Sequence, residues 1–178
     1  MAELKPLRIV HSEAATSMGG QENRIFKEMV AMREMGHHLE AICQPHALLT
    51  QRLRESGFTV HTMPMDGLLN LLKGAWTVRR ILKQSQIDVL NTHSRRDTLV
   101  AGLGARLAKT PLIVRTRHLS NRVGSLLSYT WIPHRVTTVS HYVRQNLIDR
   151  GVPADFVKTI YSPIVVPDRV EHSSMRQE

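Results

Sequence analysis

Leu7-Arg8-Ile9-Val10 is a short apolar run that leads, through Ser17-Met18-Gly19-Gly20, into a helical pattern opening at Gln21-Glu22-Asn23. An apolar strand, a glycine turn and a helix start in that order form the unit from which α/β sheets are built. Two glycines let the backbone bend and approach a ligand with no Cβ in the way, and the free N–H groups of a helix start attract anions. A Gly-Gly pair is also an ordinary turn, so the neighbouring segments decide between these readings.

Downstream the same unit recurs. Gln21 to Met35 places Ile25, Met29 and Met32 on one helical stripe, read as core, and Gly36 stops the helix. Further strands are expected at Leu39–Cys43, Phe58–Met63, Ile87–Thr92, Leu112–Thr116, Arg135–Val139 and Val157–Tyr161. Between them lie helical patterns at Ala47–Glu55 and Leu68–Lys83, one capped at Asp97 that carries Leu99, Val100, Leu103 and Leu107, and one capped by Ser140. Ser120–His134 reads as a long loop with a helical turn. The fold class is therefore α/β, a Rossmann-like three-layer domain with a mostly parallel sheet of about seven strands. Residues 1–166 form this domain, and 167–178 read as a loose tail or the start of a linker.

The helix at Leu68–Lys83 carries Leu69, Leu72 and Trp76 on one side and ends in Arg79, Arg80 and Lys83. It reads as a crossover helix packed on the sheet with a solvated basic face; lying on a membrane is the other reading.

The chain has 178 residues, 42% hydrophobic, with a net charge of +9. That size supports one buried core. No run reaches the ~18 apolar residues of a membrane span, and the first residues lack a secretion-signal pattern, so a cytoplasmic protein is expected, with a peripheral position at the inner membrane face as an option. The single cysteine, Cys43, sits in an apolar run and reads as a buried thiol. The positive charge favours a polyanionic partner: nucleic acid, an anionic membrane surface or a phosphorylated small molecule. Only 4% of residues are aromatic, which leaves few stacking platforms and counts against single-stranded nucleic acid.

In a parallel sheet, ligands gather at the carboxyl ends of the strands, so the loops after Val10, Thr92, Thr116 and Val139 should line one crevice. In chain order they carry Gly19-Gly20, His93-Ser94-Arg95-Arg96, Arg117-His118 and Ser140-His141, with only Asp97 as an acidic neighbour. A crevice so lined has a positive potential suited to phosphate. No carboxylate pair of the hydrolase kind stands out, and His37-His38 has no carboxylate cluster beside it, so no metal site is expected.

Gly19-Gly20-Gln21-Glu22, the helix end Met35-Gly36-His37, the run Ile87-Asp88-Val89-Leu90-Asn91-Thr92-His93, and Thr116-Arg117-His118 resemble, in order and spacing, the N-terminal domain of family 4 glycosyltransferases. Val139-Ser140 and Gly151-Val152-Pro153 with Ile160-Tyr161 continue the match over about residues 7 to 163. The resemblance implies the GT-B architecture, two Rossmann-like domains facing a cleft, with the N-terminal one holding the acceptor. It implies that Gly19 and Gly20 approach the donor diphosphate and that His118, as the catalytic residue, lies near the reacting sugar. His93, Ser94, Arg95, Arg117 and Ser140 are then the acceptor-binding candidates.

The implied reaction is retaining transfer from a nucleotide-sugar donor, which is a substrate, with no cofactor. Arg95, Arg96, Arg115, Arg117 and Arg122 favour a glycan, lipid-linked or phosphorylated acceptor, as in envelope polysaccharide or lipopolysaccharide synthesis. The family's donor-binding domain would begin about where this sequence ends, so the chain alone is expected to be inactive. The alternatives are a non-catalytic anion-binding module, for nucleic acid or a membrane surface, and part of a sugar-nucleotide epimerase.

Overall fold

The computed structural model describes residues 5–121 and 123–162. Seven strands form one sheet: β1 Arg8–Glu13, β2 His38–Cys43, β3 Thr59–Thr62, β4 Val89–Thr92, β5 Leu112–Arg117, β6 Arg135–Thr138 and β7 Val157–Thr159. Their order across the sheet is β3-β2-β1-β4-β5-β6-β7, and every pairing is parallel. The helices are α1 Gly20–Glu34, α2 Leu48–Glu55, α3 Leu68–Gln84, α4 Arg95–Ala108, α5 Leu127–Thr130 and α6 His141–Ile148. Strand order reverses between β1 and β4, and such a switch point opens a crevice beyond the strand ends.

Strand alternation builds the two faces. Val10, Ile42, Leu90 and Ile113 point to a core shared with α3 and α4, whereas Ile9, Leu39, Ala41 and Cys43 point to one shared with α1 and α2. Ile25 and Met29 are fully buried in the second core, as the helical stripe predicts, and the Cys43 thiol is buried and pushed up to about 12 by desolvation.

Two sequence expectations change. β1 continues past Val10 to Glu13, because His11, Ser12 and Glu13 pair with Ala41, Ile42 and Cys43 on β2 and are buried although polar. α3 is the expected crossover helix, but it turns the other way round. Its buried stripe is Gly74, Ala75, Val78, Ile81 and Leu82, and Leu68, Leu69, Leu72 and Trp76 face outward at 62–74% exposure. The cause is close helix packing. A Cβ on Gly104 of α4 would stand 2.6 Å from the Ala75 carbonyl oxygen, so the two helices meet where their residues are smallest.

Residues Arg122 and 163–178 lie outside the described residues, and with them the arginine and the tail or linker named from the sequence.

Candidate functional site

The switch point holds a crevice of about 690 Å³. It is lined from one side by Glu13, Ala14, Ala15 and the start of α1, and from the other by His93, Ser94, Arg95 and Arg96 at the start of α4. Arg115, Arg117, His118 and the loop leading to α5 close it. Three of the four expected loops therefore meet. The fourth does not reach it: Ser140 is not among the lining residues, and its hydroxyl accepts the Val143 N–H as the cap of α6.

Gly19 and Gly20 form the exposed entry to α1. Gly19 N–H donates to the Glu22 carboxylate at 2.7 Å, which fixes the turn, and the first-turn N–H groups of α1 have no intrahelical acceptor. A Cβ on Gly20 would meet nothing within 4 Å, so this glycine is not required by packing within the chain. Its backbone lies open towards the crevice.

Asp97 organises the opposite wall. Its buried carboxylate accepts the N–H groups of His93 and Ser94, each at 2.8 Å, and the Ser94 hydroxyl at 2.7 Å. Burial nevertheless pushes its carboxyl up to about 6. Arg95 stands exposed at the helix start, and Arg96 pairs with Asp66, just ahead of α3.

Arg115 and Arg117 are buried against Tyr129, with the Arg115 guanidinium 3.7 Å from the ring centroid. Arg117 donates to the Tyr129 hydroxyl and to the Asn121 carbonyl and side chain, so its terminal nitrogens hold the loop after β5. Arg95 is left as the accessible cation of the candidate set.

Acidic groups also line the crevice, contrary to the expectation that only Asp97 lies near. Glu22 caps α1, and Glu13 ends the extended β1. Burial, then the nearby Asp97 charge, pushes the Glu13 carboxyl up to about 8, so it is largely neutral at pH 7 and adds little negative charge to the crevice.

Three histidines form a row across the switch. His11 Nδ1 lies 3.0 Å from His93 Nε2, and His93 Nδ1 lies 3.0 Å from His118 Nε2. Burial lowers all three from the ordinary imidazole value, His118 to about 4, with Arg24 adding to the lowering at His93 and His118. All are neutral near pH 7. Sequence reasoning named His93 and His118 but missed His11 and Glu13. The alternation Ile9, His11, Glu13 on one strand face was the available signal.

The profile of Glycosyltransferase Family 4 matches residues 18–166, most of the chain, including every crevice segment from α1 to the loop after β5. This chain belongs to Glycosyltransferase Family 4. A curated family relative from Escherichia coli, the UDP-Gal:alpha-D-GlcNAc-diphosphoundecaprenol alpha-1,3-galactosyltransferase, is 25% identical over 134 residues, 71% of this chain and 35% of that protein. The chain thus spans about a third of the relative's length. A glycosyltransferase from Rickettsia africae shares the fold with TM-score 0.75 and 18% identity, over 89% of this chain and 43% of the other. So does a UDP-GlcNAc 2-epimerase from Neisseria meningitidis, with TM-score 0.64 and 13% identity, over 86% and 45%. The fold alone therefore does not separate transferase from epimerase; the family whose model matches is a glycosyltransferase family.

Among the described residues, no group of three or more His, Cys, Asp or Glu is placed to hold a metal ion, and no helix is long and apolar enough to cross a membrane.

Proposed function

We propose that this chain is the acceptor-binding half of a retaining glycosyltransferase, which moves a sugar from a nucleotide-sugar donor to a lipid-linked or phosphorylated acceptor in envelope polysaccharide synthesis. The observation that carries the proposal is the crevice at the β1–β4 switch, where the open start of α1 faces His93, His118 and Arg95.

Breaking the bond between a sugar and a diphosphate develops negative charge on the leaving oxygen. Preorganised N–H groups at Gly20 and the first turn of α1, opened to the crevice by the Gly19 turn and with the positive end of the helix dipole behind them, stabilise that charge without reorganising. In a retaining reaction of this kind the leaving phosphate itself takes the acceptor's proton. A neutral His118 then serves by hydrogen-bonding a sugar hydroxyl. Arg95 meets an acceptor phosphate, while Arg117 shapes the pocket through Tyr129 and Asn121.

A lipid-linked acceptor draws support from α3. Its seventeen residues include no acidic side chain, and Lys73, Arg80 and Lys83 share the outward face with Leu69, Leu72 and Trp76. An apolar stripe edged by cations suits an anionic bilayer. The Arg96–Asp66 pair ties the segment just ahead of that helix to the crevice rim. The expected place of work is the inner face of the cell membrane.

The test is to incubate the complete polypeptide carrying this chain with UDP-sugars and a polyprenyl-diphosphate sugar acceptor. The reading predicts sugar transfer with the donor's anomeric configuration retained. Conversion of the donor without acceptor would favour an epimerase instead.

A further inference from the structure

We propose that His11 and His93 are positioning residues that hold His118 in a single tautomer, protonated at Nε2, so that its Nδ1 is offered to the crevice as a hydrogen-bond acceptor. The geometry of the row leaves few alternatives. A neutral imidazole has one N–H and one bare nitrogen, so each ring in a chain must donate on one side and accept on the other. With His11 Nδ1 bonded to His93 Nε2 and His93 Nδ1 to His118 Nε2, both bonds must run in the same direction. Outward donation ends in an Nδ1–H on His118. Inward donation ends in a bare Nδ1 there and an Nε2–H on His11.

The surroundings of His11 select the inward direction. Its Nε2 is buried and has no hydrogen-bond partner among the described residues; Glu28 Oε2 on α1 also lacks a hydrogen bond there and pairs with Arg24 Nε at 3.7 Å. The Glu28 charge acts on His11 in the sense that favours a proton on the ring. The Glu28 charge acts on the inner ring and the Arg24 charge on the outer two, so the field along the row draws the protons inward and places that of His11 on Nε2. The opposing charge is Arg24, whose guanidinium donates to Ser162 Oγ and the Ile160 carbonyl and which acts on His93 and His118. A cation beside the outer two rings keeps them neutral, which the chain requires, and favours a bare nitrogen at the crevice. The Asp97 carboxylate does not compete, because it is already engaged by the His93 and Ser94 N–H groups.

The consequence is a defined polarity. A bare Nδ1 accepts a hydrogen bond from a sugar hydroxyl and rejects a ligand that can offer only another acceptor. That consequence rests on the glycosyltransferase reading; the tautomer itself does not.

The test uses the full chain labelled with 15N-histidine and read by long-range 1H–15N correlation, in which protonated and bare ring nitrogens are well separated. Wild-type His118 is expected to show a protonated Nε2 and a bare Nδ1 with no averaging near pH 7. His11→Phe removes the acceptor at the inner end, and Glu28→Gln removes the charge that biases it. Each is expected to convert the His118 signals to a mixture of tautomers, and Glu28→Gln keeps the test available should His11→Phe fold poorly. A protonated Nδ1 in the wild type, or unchanged His118 signals in both variants, would overturn the proposal. In the transfer assay, loss through positioning should appear in kcat with the acceptor KM preserved. Absence of any transfer with an intact tautomer would fault the functional reading and leave the tautomer standing.

Discussion

The Asp97 carboxylate accepts the backbone N–H of His93 at 2.8 Å, so a helix cap at the start of α4 also fixes the histidine at the centre of the crevice. The same side chain holds the Ser94 N–H and hydroxyl. Asp97→Ala leaves these buried donors without their acceptor and is expected to cost about 2–4 kcal/mol of stability. Chemical denaturation measures it, and Asp97→Asn, which keeps one oxygen, should lose less.

Gly104 lies where α4 touches α3. Alanine is the better helix former by about 1 kcal/mol, but its Cβ would meet the Ala75 carbonyl oxygen at 2.6 Å and Val78 Cβ at 2.7 Å. Gly104→Ala is therefore expected to destabilise by about 1–3 kcal/mol through overpacking. A thermal melt showing a gain instead would mean that α3 can move away freely.

Glu13 gives a pH signature. Its carboxyl rises from 4.5 to about 8 on folding, so between those values the folded state binds more protons than the unfolded state. Stability from this group is fully present below pH 4.5 and declines as pH rises through 8. The buried histidines act in the opposite sense over the acidic part of that range, so the signal is the difference between wild type and Glu13→Gln. The variant should gain on the wild type progressively from pH 5 to 8.

The outward face of α3 predicts membrane affinity. The full chain should sediment with vesicles containing phosphatidylglycerol and much less with phosphatidylcholine alone, and salt should weaken the binding. Leu69→Glu with Trp76→Glu should abolish it without lowering Tm, because both side chains are exposed.

Much of the fold could be read from strand–helix alternation, because most strands are apolar runs bounded by glycine, proline or polar residues. The sequence reading stops β1 at Val10 because His11, Ser12 and Glu13 look like loop residues; their backbone pairs with β2, and the His11 ring and Glu13 carboxyl find partners in His93, Gln21 and the Ala14 and Ala15 N–H groups. α3 offered two apolar stripes, and periodicity could not show that small residues, Gly74 and Ala75, would choose the buried one. At the site, Gly19, Gly20, His93, Ser94, Arg95, Arg117 and His118 do meet in one crevice. Ser140 does not, because the loop after β6 lies beyond β5, away from the switch. The commitment of Arg117 to Tyr129 and Asn121 depends on the fold of the β5–α5 loop, which has no local signature.

The central claim is that the open start of α1 and His118 act on one reacting sugar. It is tested most directly by the transfer rate of the complete polypeptide with a nucleotide sugar and a lipid-linked acceptor, comparing wild type, Gly20→Val and His118→Ala. Gly20 has open space around it, so Gly20→Val should keep the Tm while kcat/KM falls by about 10²-fold or more, as expected for lost charge stabilisation at a leaving group. His118→Ala should fall comparably. Full activity in both variants would contradict the account.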